Sequence, residues 1–358
     1  MHKRIKIMAL GLTALLLSQG CVERENDPLL VNANNLNLAL QNSVDNSIIP
    51  AVEDFSAQAQ SLSTLSTDFC ADPQDISALQ TQWINLNNSW FRLAAFNFGP
   101  LNADAISPLY PYIDSLRLNG THYLATVRTE ISNNLASSST LNESYFAAKS
   151  FQRVGLLSLE ALLFETADSG HSQQSSDILA EYINNPRKCQ ILTGISALLS
   201  SQSQQLSSGW QTQFNAGTQS YRSLFLANNL QDGSSAISTL INAAQQYLEH
   251  LKARNVAAVS GSLAGSGFAA LDNAIDSISQ LLEGTANTQV SFLQFIAVAG
   301  NETYVTNIRS NLARAKQACA DQDITALNAA LALLDGNFKR EVPNGLNVEL
   351  GLNFTDGD

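Results

Sequence analysis

The chain has 358 residues, 19 of them basic and 31 acidic, and a formal net charge of −12. A chain this acidic is excluded as a binder of nucleic acid phosphates. Its length supports two domains with real cores, and the lack of a second long apolar run beyond Leu17 predicts a body soluble in water.

Lys3, Arg4 and Lys6 precede an uncharged apolar run, Ile7 to Leu17, that ends at Ser18-Gln19-Gly20-Cys21. The run is too short to span a bilayer stably. The layout is that of a bacterial lipoprotein signal, in which residues 1–20 are removed and Cys21 becomes a lipid-bearing first residue. An ordinary secretory leader with an incidental Cys21 is the competing reading. Lipid on Cys21 makes the membrane itself a partner, since each buried methylene contributes about 0.8 kcal/mol. Val22 in place of an aspartate favours the outer membrane, facing the periplasm. Loss of the three signal cations takes the formal charge from −12 to −15. Residues 21–32 read as a tether.

Periodicity predicts helix almost everywhere after that. Ile76, Leu79, Trp83, Leu86, Trp90 and Leu93 recur in steps of three and four and so share one helix stripe. Phe268, Leu271, Ile275, Ile278 and Leu282 repeat the pattern, as do Ile324, Leu327, Leu331 and Leu334. Helices are expected over 33–66, 74–97, 108–136, 141–166, 174–184, 188–213, 218–229, 232–254, 264–283, 287–299, 302–319 and 322–337. Gly99-Pro100, Asn185-Pro186 and Asp232-Gly233 punctuate these runs. The fold class is all-α, with two associated helical bundles over 33–215 and 216–358. The end of the second, from Val342, is not strongly helical and closes in an exposed acidic tail.

Cys70 and Cys319 each sit at a helix end, before an acidic turn and a new amphipathic helix. Asp75 or Asp323 can cap the following helix by accepting its free amides. With Cys21 taken by lipid, Cys70, Cys189 and Cys319 remain; two of them can pair in an oxidising compartment, and the sequence does not choose among the three pairings.

No nucleophile elbow, Walker loop or HExxH helix occurs. Ser260-Gly261-Ser262-Leu263-Ala264-Gly265-Ser266-Gly267 reads as a flexible loop between helices, with an anion cradle at the following helix start as the alternative. His122, His171 and His250 read as surface or packing residues. The segment Arg153 to Phe164 is different. Positions 153, 157, 160 and 164 share one helix face, which sets Glu160 in an apolar run. A buried carboxylate needs a partner, a proton or a metal. An ion pair with Arg92, Arg117 or Arg153 is the plain expectation, and Asp114 or Glu165 could add oxygens for a cation.

These residues resemble the imelysin family across nearly the whole chain after the signal. The resemblance rests on Cys70 with the aromatic helix through Trp90-Phe91-Arg92 to Phe98-Gly99-Pro100. It rests also on Gly155 to Phe164, which aligns with the family's GxHxxE helix, on Arg187-Lys188-Cys189-Gln190, on Trp210, and on the closing Leu350 to Asp358. It implies an all-helical fold with that helix near the interface of two bundles. For function it implies either a metallopeptidase or a component of iron uptake, with iron or another divalent cation as the cofactor and iron-uptake or envelope proteins as partners. The family's metal argument rests on histidine and glutamate at i and i+3. Here the histidine position is Leu157, and only Gly155 and Glu160 carry over. A catalytic zinc normally takes three protein ligands, so hydrolysis is disfavoured and binding without chemistry is expected. Glu160, Gly155 and Leu157 define the candidate pocket, with Trp90, Arg92, Asp114, Arg117 and Arg153 as supporting residues.

Overall fold

The computed structural model describes residues 28–349, apart from 105, 118–121, 231, 254–255, 287 and 289. The signal, Cys21 and the tail from Leu350 lie outside the described residues. No strand occurs among those described.

The described residues open as one long helical run. α1 (Pro28–Ser43) passes through a π turn at Val44–Ile48 into α2 (Ile49–Ala71). α3 (Ser77–Leu93) follows, with Ile76 at its N-cap and Asp75 just before it accepting the Ser77 amide at 2.9 Å. The α3 stripe is buried as its spacing requires, with Leu79, Trp83, Leu86, Trp90 and Leu93 inside. α3 holds a central place, packing on α2 and, further along the chain, on α7 (Leu156–Phe164) and α13 (Gly267–Glu283).

Two of the long helices expected from periodicity are broken. The first, 108–136, divides into α4 (Tyr110–Ile113), a 3-10 turn at Ser115–Arg117 and α5 (Leu124–Ala136). Pro111 is tolerated only within a first helical turn, and Asp114 is extended, its Oδ1 accepting the Leu116 amide at 3.0 Å. The second, 141–166, divides into α6 (Glu143–Ala147), a 3-10 turn at Phe151–Arg153 and α7. The break is at Gly155, with φ +80°, where an added Cβ would lie 2.5 Å from the carbonyl oxygens of both Tyr112 and Ile113. Glycine is required here twice over, by backbone conformation and by close approach. Arg153 therefore precedes α7 and does not share a helix face with Glu160.

α8 (Ser175–Asn184) leads into α9 (Pro186–Gln211), capped by Asn185. α9 lies along α2, and the two are joined by a disulfide between Cys70 and Cys189. Cys319 is free and buried. After α10 (Tyr221–Leu226) come α11 (Ala236–Ala253), α12 (Val256–Val259), α13, α14 (Phe292–Val298), α15 (Glu302–Ala320) and α16 (Ile324–Lys339). Asp323 caps α16, its carboxylate accepting the amides of Thr325 and Ala326 at 2.9 and 3.0 Å. Against expectation the chain is helical once more at α17 (Glu341–Leu346), where Pro343 falls in the first turn and so removes no needed amide. Buried apolar residues form one continuous cluster from Ala39 to Leu346.

Candidate functional site

Glu160 sits mid-way along α7 with 2% of its surface exposed. Among the described residues no arginine pairs with it. Its Oε1 accepts the backbone amides of Leu263 and Ala264 at 2.8 and 3.1 Å. Those amides belong to the glycine-rich loop between α12 and α13. Gly261 of that loop, at φ +63°, would drive a Cβ to 2.4 Å from Ser266 Oγ, so only glycine turns the loop this tightly. The loop is thus an anion cradle, and the anion is a side chain of the same molecule, more than a hundred residues earlier. Burial raises the Glu160 carboxyl from its ordinary range to about 7; the two amides oppose this, and the neighbouring carboxylates of Glu165 and Asp114 add to it.

A cavity of about 20 Å³ adjoins the carboxylate. That is room for about one water molecule, which needs roughly 10–15 Å³. Leu157 lines it, half-buried and without a lone pair to offer. Asp114 lines it too, its Oδ2 accepting from Trp90 Nε1 at 2.9 Å. Trp90 therefore supports the site by fixing Asp114. Gly155 serves by letting α7 start against α4.

Three other predicted residues are elsewhere. Arg153 pairs with Glu130 at 2.8 Å. Arg92 lies 3.4 Å from Asp54 in a largely solvated pair. Arg117 ends the 3-10 turn after Asp114, and its side chain is outside the described residues. Glu165 is held by Arg128, whose Nε donates to it at 2.8 Å. For Arg92 and Arg153 the ion-pair expectation does not hold, and Glu160 instead accepts backbone amides, which satisfy a carboxylate without burying a second charge.

The cavity is also lined by Asn87, which the sequence reading does not single out, and by His122, expected as a surface or packing residue. Asn87 is 1% exposed, and its Nδ2 is buried with no partner. The signal was present, since Asn87 is a polar residue beside Leu86 and Trp90 on the apolar side of α3. His122 lies just before α5, not within a helix. Its ring bonds the Val259 backbone carbonyl, while Nε2 is buried and unpartnered. Burial and the charge of Arg128 lower its pKa, so the ring is neutral at pH 7. With Nδ1–H donating to Val259, Nε2 is an acceptor. The cavity thus offers one carboxamide donor and one imidazole acceptor beside the carboxylate, a set suited to a small neutral hydrogen-bonding molecule such as water.

A metal does not fit this donor set. Leu157 removes one ligand, and Glu160 Oε1 is committed to two amides. No group of three His, Cys, Asp or Glu side chains among the described residues converges as metal ligands.

Comparison with known proteins agrees with the architecture. The family model described as imelysin, which carries a peptidase designation, matches residues 48–345. An imelysin-like protein from Psychrobacter arcticum superposes with a TM-score of 0.69 at 16% identity, over 89% of this chain and 98% of that one. A Parabacteroides distasonis protein named as an iron-regulated protein A precursor superposes with a TM-score of 0.62, also at 16% identity, over 87% of this chain and 95% of that one. No curated protein matches the chain.

Proposed function

The chain belongs to the imelysin family, and from that premise we propose that it is a non-catalytic binding or accessory component of iron acquisition. It is held in the bacterial envelope by lipid on Cys21, facing the periplasm, with its helices divided into two associated bundles near residue 215. The observation that carries the non-catalytic reading is the state of the family's metal helix. The imidazole position is leucine, and the remaining carboxylate is clasped by the amides of Leu263 and Ala264. The cavity beside it admits about one water and no peptide. The iron link rests on the fold shared with the relative named as iron-regulated.

A peptidase is the second reading, favoured by one observation: a carboxyl near 7 beside a cavity is suited to general acid–base work. Growth under iron limitation separates the two. A strain lacking the protein is expected to take up less iron, with uptake restored equally by the parent chain and by Glu160→Gln. Restoration by the parent alone contradicts the non-catalytic reading, and unchanged uptake in the deletion strain contradicts the iron link.

A further inference from the structure

A second cavity lies away from Glu160, between the turn after Phe98, the loop that follows α9, and α10. Its volume is about 240 Å³, below the roughly 300–1,000 Å³ of sites for drug-sized ligands. It matches a molecule of one ring. Its apolar wall is aromatic, formed by Phe98, Phe214 and Tyr221. These rings are braced by others: Tyr221 lies 4.9 Å from Phe214 and 5.0 Å from Trp210, centroid to centroid, and Phe98 stacks on Phe225 at 5.1 Å. Such packing fixes the wall in place.

The lining also carries polar side chains. Asn102, Asn215 and Asn229 line the cavity with their carboxamides exposed to solvent, and among the described residues none of the three bonds another side chain. The Tyr221 hydroxyl also meets no partner among them. Burial and the charge of Asp232 raise its pKa, so it stays protonated and can donate. Asp232 Oδ1 accepts from the Ser234 amide and hydroxyl at 3.0 and 2.7 Å, while Oδ2 bonds no other residue among those described. Among the described residues no lysine, arginine or histidine lines the cavity.

We propose that this cavity binds a neutral sugar ring. Each sugar hydroxyl both donates and accepts, and so does the set of three carboxamides, a phenol and a carboxylate that lines the cavity. The C–H face of a pyranose is apolar and suits an aromatic wall. A phosphate or carboxylate ligand finds no cation here and is repelled by Asp232. An amine satisfies Asp232 but leaves the carboxamide N–H donors unmatched, because an ammonium accepts nothing. The proposal is independent of the reading of Glu160.

The test is titration of the full chain with glucose, galactose and N-acetylglucosamine, followed by tryptophan fluorescence and saturation-transfer NMR. Choline and glycine serve as amine and zwitterion controls. The expected result is saturable binding of at least one sugar, weakened about tenfold by Tyr221→Phe and by Asp232→Asn, the loss of roughly one well-made hydrogen bond. Circular dichroism checks both folds; should Tyr221→Phe unfold, the exposed Asp232→Asn decides. Saturation by no sugar, undiminished affinity in the folded variants, or binding of choline or glycine in preference to sugars overturns the proposal.

Discussion

A carboxylate held by two backbone amides is both satisfied and dependent on its surroundings. Glu160 loses most of its hydration on folding, and the amides of Leu263 and Ala264 replace only part of it. Its carboxyl therefore moves from the ordinary 4.5 up to about 7 in the folded chain. The sign follows from linkage. A group whose folded pKa is raised contributes stability that is fully present below about pH 4.5 and is lost as pH rises through about 7. By pH 8 the ionised form costs about 3 kcal/mol relative to an unperturbed carboxyl. Glutamine keeps an oxygen for the two amides and cannot ionise. Glu160→Gln is thus expected to be more stable than the parent chain in urea denaturation at pH 8, by up to about 3 kcal/mol, and close to it at pH 4. A loss of stability at pH 8 contradicts this account. That Glu160 is buried and needs a partner was legible from its place among Leu157, Leu159, Leu162 and Leu163. The partner was not, because a backbone amide leaves no mark in a sequence beyond the glycines that let it turn.

At the scale of elements, the site depends on where helices stop. α7 starts against α4 only because position 155 has no Cβ. Gly155→Ala meets both a left-handed φ and two carbonyl oxygens at 2.5 Å. It is expected to cost about 3 kcal/mol or more in urea denaturation; a cost within about 0.5 kcal/mol rules out this role. The α2–α9 pair is tied by Cys70–Cys189, which closes 119 residues of sequence. Replacing both cysteines by serine is expected to lower stability by about 2–5 kcal/mol, and a double variant with an unchanged denaturation midpoint would show that packing alone holds the pair. Apolar stripes made α3, α13 and α16 legible, and the aspartates Asp75 and Asp323, just before α3 and at the cap of α16, made their starts legible. The breaks within 108–136 and 141–166 were missed because apolar spacing continues across them. Pro111 and Gly155 were the signals there, and both were read through. The cysteine pairing needed the packing of α2 on α9, which no local pattern encodes.

At the scale of the molecule, α3 packs on α2 and α7 from one part of the chain and on α13 from another, and the Glu160 clasp lies across the same seam. The seam is closed, with space for about one water beside the carboxylate, while a roomier cavity lies at the aromatic cluster around Tyr221. Family membership was legible because several weak motifs fall in the right order along the chain. The details of the site were less so, since Asn87 and His122 reach it from elements far apart in sequence. The central claim is that Glu160 is committed to the loop and not to a metal, with Leu157 leaving the family's second ligand position empty of any lone pair. Its most direct test is calorimetric titration of the metal-free protein with ferrous, ferric, zinc and calcium ions, for the parent chain and for Leu157→His. The account predicts no binding heat for the parent and gained affinity in the variant. Stoichiometric binding to the parent chain that disappears in Glu160→Gln would contradict it.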